Sequence, residues 1–259
     1  ADLVLWHSQS QKDEFFSIVH NYLTSIAAAP ILFKSHVYKS GHSKVNLQRP
    51  INFENIRFDP ELIPLDKPVI WVPNRIGGLG KSLDYTNNGR FLFDFLPKFK
   101  CDKEFIVLCG NPSQKITNVE IMERVPEYVK LLDGPMNYDE YMWCTQRADI
   151  VISLYDKDEN GGIAVLEAIY HGAFPLMPDI NEYHTYFEDA GCPSLMRLQP
   201  DWSNMDFLLD VLLRSPPAMA EMAKRFKLAI QKHSIENTTD EFWKTVMTGY
   251  INKKKGGLN

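Results

Sequence analysis

The sequence lacks several features that would narrow its function at once. No apolar run is long enough to span a bilayer and no signal-peptide pattern is seen, so no membrane span is predicted. The four cysteines are scattered without a Cys-x-x-Cys pair, which argues against a zinc site and favours a reducing compartment, the cytoplasm. Internal repeats, low-complexity tracts and the Gly-x-Gly-x-x-Gly fingerprint of dinucleotide-binding proteins are also absent.

The composition is that of an ordinary folded protein. Hydrophobic residues make up 44% of the 259 residues and aromatic residues 12%, which is enough for a well-packed core. The length suits one large domain, or one domain and a fragment of another. The net charge of −5 does not mark the whole chain as a nucleic-acid-binding protein.

Short β-branched runs alternate with amphipathic stretches from residue 68 onward. Residues 69–72 and 150–154 predict buried parallel strands, and residues 138–147 predict a helix. Strands are also predicted at 3–6, 104–109, 128–132, 174–177 and 194–198, and helices at 12–26, 83–99, 119–129, 162–171, 182–190, 203–214, 216–233 and 239–250. This alternation predicts an α/β fold, a doubly wound parallel sheet with a helical C-terminal tail.

The segment 31–68 breaks the pattern, because it contains several prolines and is locally basic. We predict that it is irregular. Two interpretations are compatible with its composition: a solvated linker, or a loop that contacts phosphate groups.

Two glutamates follow the predicted strand 150–154. Glu159 lies at the turn into the next helix, and Glu167 lies inside that helix. Unpaired backbone N–H groups and the positive end of the helix dipole make such a turn a site for a diphosphate. A carboxylate further along the helix can accept hydrogen bonds from sugar hydroxyls. The alternative is that Glu159 is a neighbour of the helix N-cap and Glu167 a solvated helix residue.

The spacing of the two glutamates resembles the Glu-x7-Glu motif of the retaining nucleotide-sugar glycosyltransferases with the GT-B fold. This chain departs from the family at Gly161, where an aromatic residue is usual. The branch of the queuosine-tRNA mannosyltransferases is the most similar in the residues after Glu167, which include Tyr170 and Gly172.

The resemblance implies a donor site around this turn. Glu159 is expected to position the sugar and Glu167 to hold the nucleotide ribose. The turn between them is expected to contribute further donor-binding residues, namely Asn160, Gly161, Gly162 and Ile163. No protein nucleophile is expected, because retaining enzymes of this fold are thought to use a front-face mechanism.

The turn after the predicted strand 69–72 contains Arg75 and Lys81, separated by a glycine-rich stretch. It resembles the Gly-Arg-x(n)-Lys element with which the family grips the donor pyrophosphate, although Asn74 replaces the glycine. A bidentate Arg75 and a point charge at Lys81 would then stabilise the leaving diphosphate. The alternative is a surface loop with two solvated cations.

Three further residues are predicted to lie near the nucleobase. Gly134 and Met136 match the family's loop that offers backbone hydrogen bonds to the base, and Gly110 closes the second strand of the sheet. All three could also belong to ordinary turns. Asp156 and Asp158 spell a metal-binding Asp-x-Asp pattern, but we interpret it as chance. No metal and no cofactor are expected beside the nucleotide-sugar co-substrate.

The predicted organisation has three parts: residues 1–67 as a remnant of an N-terminal acceptor domain and linker, 68–236 as the donor-binding domain, and 237–259 as a crossover helix and tail. The first residues resemble a strand near the end of the family's N-terminal domain. We therefore expect a piece lacking most of that domain, with the missing half on another chain as one arrangement. The alternative is a small single-domain protein.

The predicted function is retaining transfer of a hexose or pentose from a nucleotide-diphosphate sugar to an acceptor hydroxyl. A hydroxylated base in RNA or DNA is one candidate acceptor, and small molecules and glycans remain open. A second class is a non-catalytic nucleotide-sugar-binding module. A third class, an unrelated phosphatase or methyltransferase, lacks a supporting motif.

Overall fold

The structure is a computed structural model that describes residues 4–6, 35–37, 49–64, 66–73, 87–110, 126–132, 135–154 and 163–231. Internal contacts divide the chain into two compact units. One unit is Leu47–Ile230, and the other combines Ala1–Asn46 with Gln231–Asn259. The domain boundaries predicted at residues 68 and 237 stay predictions.

The smaller unit contains one pair of described strands. Strand β1 (Val4–Trp6) runs parallel to β2 (Ser35–Val37), with Leu5 opposite His36. The strand predicted at 3–6 is therefore present, whereas β2 lies in the segment that was predicted to be irregular. The helices predicted at 12–26 and 239–250 lie outside the described residues.

The larger unit is built on a five-stranded parallel sheet with the order β5-β4-β3-β6-β7. The strands are β3 (Val69–Val72), β4 (Ile106–Cys109), β5 (Val129–Leu131), β6 (Ile150–Ile152) and β7 (Phe174–Leu176). Every residue of β3, β4, β6 and β7 is buried, as expected for a parallel sheet covered on both faces. The predicted α/β fold is confirmed.

Helices connect and flank these strands. They are α1 (Asn87–Arg90), α2 (Tyr138–Arg147), α3 (Ile163–His171), α4 (Asn181–Asp189), α5 (Met205–Arg214) and α6 (Pro216–Ile230). The connection β3–α1–β4 moves across the sheet in one direction and β6–α3–β7 in the other. Because such crossovers are right-handed, α1 and α3 cover opposite faces.

The C-terminal helices of this unit close the core beside β7. Phe226 of α6 lies edge-on to Phe174 of β7 and to Phe187 of α4, with ring centroids 5.6 Å apart in both pairs. Gly172 ends α3 with a φ of +107°, a backbone conformation that favours glycine and turns the chain into β7.

Three predicted elements differ from the structure. The strand predicted at 194–198 is wrong: Ser194–Met196 is a 3-10 helix, and Leu198 alone forms a bridge, to Pro178. The N–H groups of Met196 and Arg197 donate to carbonyls three residues back, over 2.8 and 3.2 Å, so they are not available to a ladder.

The other two differences concern predicted helices. The helix predicted at 83–99 is described from Asn87, and it changes at Phe91–Phe95 into a π-helix, followed by a turn. The helix predicted at 119–129 does not extend over 126–129, where a turn leads into β5. Segment 49–64 contains two 3-10 helices, Phe53–Asn55 and Pro60–Leu62.

Candidate functional site

The order of the sheet reverses between β3 and β6, which are paired neighbours with Trp71 opposite Val151. Doubly wound sheets bind ligands outside the carboxyl ends of the strands at such a point. The predicted pyrophosphate-binding segment continues from Pro73 and the predicted sugar-binding segment continues from Leu154, so both leave from this edge. Most predicted site residues lie outside the described residues, and their roles stay predictions: Arg75, Lys81, Gly134, Glu159, Asn160, Gly161 and Gly162.

Glu167 is the predicted site residue whose surroundings the structure defines best. It lies in the second turn of α3, which Ile163 begins, and it is partly buried. The hydroxyl of Tyr141 on α2 donates a hydrogen bond to Glu167 Oε2 over 2.6 Å. No partner for Oε1 occurs in the part of the chain that the structure describes. The carboxylate is therefore anchored through Oε2 by Tyr141.

The pKa shifts of Glu167 and Tyr141 indicate which of the two residues donates the hydrogen bond between them. Burial raises the pKa of Glu167, and the hydrogen bond from Tyr141 offsets only part of the rise. Burial, followed by the charge of Glu167, raises the pKa of Tyr141 well above its ordinary value. The phenol consequently keeps its proton at neutral pH and donates it. Functional sites often contain such a carboxylate, in a partly buried position that disfavours its ionised form.

A second tyrosine, Tyr138, feels the charge of Glu167 and is in contact with a cation. The guanidinium of the exposed Arg49 lies 4.6 Å from the centre of the Tyr138 ring, a cation–π contact. Burial raises the pKa of Tyr138, Arg49 lowers it, and the charge of Glu167 raises it further. Tyr138 and Tyr141 are three residues apart on α2, so both are on the same face of that helix.

Two residues predicted to lie near the nucleobase, Gly110 and Met136, are brought together. Gly110 follows β4, and a Cβ placed on it would overlap Met136 Sδ and lie 3.2 Å from the Trp71 ring. Met136 is 6% exposed, so its side chain belongs to the core and only its backbone remains for a ligand. The indole Nε1 of Trp71 is buried and has no hydrogen-bond partner within the described ranges.

The segment 49–57 is fastened to the beginning of α2. Asn55 donates to Asp139 over 2.7 Å, and Arg57 donates to both carboxylate oxygens of Glu140 over 2.7 Å. Asn137 caps the helix in a reciprocal capping box with Glu140. These bonds fix the first turn of α2, which carries Tyr138 and Tyr141.

A cleft of about 570 Å³ lies at the opposite edge of the sheet, beside Lys67, Phe105 and Tyr128, which precede β3, β4 and β5. Lys67 and Glu104 at this cleft pair with each other over 2.7 Å. The cleft is separate from the predicted donor site.

Metal-binding groups and histidines add little to the site. Within the described ranges, no cluster of His, Cys, Asp and Glu side chains could hold a metal ion, and no helix is both long and apolar enough to cross a bilayer. All four cysteines are free thiols. Burial lowers the pKa of His171 to about 4, so this histidine is neutral at physiological pH.

Sequence reasoning missed Tyr141, Tyr138, Arg49 and the fastening of segment 49–57. One signal was available: Asn137 and Glu140 have the spacing of a capping box, which places the start of α2 and thereby puts the two tyrosines on one helix face. Nothing in the sequence indicates that this face meets α3, because the two helices belong to different βα units.

The parallel sheet, its flanking helices and the reversal of strand order define the class. The chain has the Rossmann-like fold of the GT-B glycosyltransferases, and the predicted resemblance to that family is confirmed. No protein-family model matches the sequence.

Individual proteins support this assignment. The chain is 29% identical over 194 residues to the tRNA-queuosine alpha-mannosyltransferase of Drosophila melanogaster, covering 69% of this chain and 48% of that protein. HepE of Anabaena, solved with UDP and glucose, superposes with a TM-score of 0.66 at 14% identity, over 96% of this chain and 64% of that one. A glycosyltransferase of Rickettsia africae gives a TM-score of 0.63 at 14% identity, over 96% and 63% of the two chains. The chain thus spans about half the length of the curated relative.

Proposed function

We propose that this chain binds a nucleotide-diphosphate sugar at the carboxyl ends of β3 and β6 and takes part in transferring the sugar to an acceptor hydroxyl, with retention of anomeric configuration. The observation that carries the proposal is the carboxylate of Glu167, anchored by Tyr141 at 2.6 Å beside the reversal of strand order. The structural relative HepE was solved with UDP, and with UDP-glucose, which supports a donor of this class.

The chemistry needs two kinds of stabilisation. As the bond between the anomeric carbon and the phosphate breaks, negative charge develops on the diphosphate and positive charge on the sugar ring. We propose that the negative charge on the diphosphate is stabilised by Arg75, Lys81 and the backbone N–H groups at the start of α3. We propose that Glu159 binds the hydroxyls of the transferred sugar and that Glu167 binds the hydroxyls of the ribose. The leaving phosphate itself takes the acceptor proton, so a protein nucleophile is not required.

The acceptor we favour is a hydroxyl on a modified base of RNA, because the curated relative is named for a queuosine in tRNA. The acidic net charge of −5 means that contacts with RNA must be local rather than spread over the surface. Arg49, exposed beside Tyr138, is one cation available near the donor site.

The first test is donor binding and turnover. Purified chain is titrated calorimetrically with ADP, CDP, GDP and UDP, and then incubated with the corresponding nucleotide-hexoses to detect release of the diphosphate. We expect one nucleotide to bind and its sugar nucleotide to be hydrolysed or transferred. Binding without any turnover, with or without acceptor, would favour the non-catalytic binding module. No binding to any nucleotide would refute the proposal.

The second test concerns the acceptor and the stereochemistry. Transfer of radiolabelled sugar is measured with total tRNA, with duplex DNA and with a glycan mixture as separate acceptors. Label in the tRNA fraction supports an RNA acceptor. Label in the DNA or glycan fraction instead would show that the acceptor belongs to that class. The anomeric coupling constant of the product, measured by NMR, distinguishes retention from inversion.

The matched variants are Glu167→Ala and Glu221→Ala. Glu221 is an exposed glutamate of α6, whose ion pair with Arg225 spans 3.7 Å at the surface. We expect Glu167→Ala to weaken nucleotide binding and Glu221→Ala to leave it unchanged.

A further inference from the structure

We propose that Tyr141 is a positioning residue for the donor: its hydroxyl holds the Glu167 carboxylate in the orientation in which that group accepts hydrogen bonds from the ribose. The inference rests on the proposed function, because it assigns a supporting role to a residue behind the proposed ribose ligand.

The hydroxyl of Tyr141 is held in place before any ligand arrives. Its ring lies edge-on to the buried Trp71 at a centroid distance of 6.2 Å and an interplanar angle of 61°. The contact with Trp71 and the 2.6 Å hydrogen bond to Glu167 Oε2 together hold the ring between β3 and α3.

The carboxylate of Glu167 depends on that proton. A carboxylate has about four lone-pair positions. The bond from Tyr141 occupies one of them on Oε2 and leaves Oε1 without a partner among the described residues. An unheld glutamate would sample several rotamers and would be protonated more readily in this partly buried position. Tyr141 therefore fixes the orientation of the Glu167 carboxylate and favours its ionised form.

The conservative variant Tyr141→Phe tests the role, because it removes one oxygen atom and keeps the ring against Trp71. We expect the dissociation constant for the preferred ribonucleoside diphosphate to rise by about 3- to 10-fold, the range for losing one hydrogen bond. The turnover number should change less than the dissociation constant. Tyr170→Phe, which removes a hydroxyl from α3 itself, is the control and should bind like the wild type.

Two further measurements separate positioning from a general structural effect. In the Glu167→Ala background, Tyr141→Phe should cause no additional loss, because no side-chain oxygen remains at position 167 for the tyrosine to hold. With the 2′,3′-dideoxyribonucleoside diphosphate, wild type and Tyr141→Phe should bind equally, because the ribose hydroxyls are missing. A tyrosine that only stabilised the fold would weaken both ligands and both backgrounds alike.

The outcomes distinguish this inference from the proposed function. If the wild type binds no nucleoside diphosphate, both are refuted. If the wild type binds and Tyr141→Phe binds equally well, or loses affinity equally for the dideoxy ligand, the role of Tyr141 is refuted and the proposed function stands.

Discussion

Replacing Glu167 by glutamine should make the protein more stable and a poorer binder of its nucleotide. Burial raises the pKa of Glu167, with the Tyr141 hydrogen bond offsetting part of the rise. A raised carboxyl pKa in the folded state means that folding favours the protonated form. The stabilisation is therefore complete below the unfolded pKa of about 4.5 and is lost as the pH rises through the folded pKa. At neutral pH the ionised side chain costs stability, and glutamine removes this cost.

Two free-energy changes are expected for Glu167→Gln, one in folding stability and one in nucleotide binding. Each unit by which the folded pKa of Glu167 exceeds its unfolded pKa corresponds to about 1.4 kcal/mol at neutral pH. Glutamine can still accept the bond from Tyr141 but brings no charge to the ribose hydroxyls. We expect the nucleotide to lose about 1–3 kcal/mol of binding free energy, or roughly 5- to 150-fold in dissociation constant.

The assay combines urea denaturation between pH 4 and 8 with nucleotide titration at neutral pH. The free energy of unfolding of Glu167→Gln should exceed that of the wild type by an amount that grows as the pH rises above about 4.5. Glu221→Gln, at an exposed position of α6, is the control and should change neither quantity. A Glu167→Gln variant that is less stable at neutral pH and binds the nucleotide normally would refute the reasoning.

Three further variants test other parts of the site. Gly110→Ala places a methyl group on Met136 Sδ, so we expect a loss of about 1–3 kcal/mol in urea denaturation, and unchanged stability would contradict the packing. Arg57→Ala leaves the buried Glu140 carboxylate without its ion pair. Because Arg57 is largely exposed, we expect a loss of about 1–2 kcal/mol at neutral pH. Burial raises the pKa of Glu140, but its hydrogen bonds from Arg57 and the backbone lower it overall, so the loss should shrink as the pH falls below about 4.5. Glu159→Ala should abolish sugar transfer while nucleotide binding is largely kept, and full transfer activity would remove Glu159 from the mechanism.

The sheet was predictable mainly because four of its five strands, β3, β4, β6 and β7, are buried on both faces. A continuous run of β-branched and aromatic residues such as Val69–Val72 is typical of a buried parallel strand, and the capping box at Asn137 places the start of α2 at Tyr138. The apolar residues at 194–198 misled the prediction, because short apolar runs do not distinguish a strand from a turn that leads to one bridge.

The site was predictable only in part. Glu167 stands out by its motif, but Tyr141 is 26 residues away in sequence. Their contact exists only because α2 and α3 pack against each other. Likewise, the change to a π-helix at Phe91–Phe95 coincides with stacking of Phe91, Phe95 and Phe99 at 5.5 and 5.6 Å. Periodicity in a single sequence reveals neither the tertiary contact between α2 and α3 nor the local change from an α-helix to a π-helix.

The most direct test of the account is a crystal structure of this chain with the nucleoside diphosphate that titration selects. We predict the diphosphate at the beginning of α3, between the ends of β3 and β6, with a ribose hydroxyl about 2.5–3.2 Å from Glu167. A nucleotide bound at another place, or side chains that fill this corner of the sheet and leave no room for a diphosphate, would contradict the account.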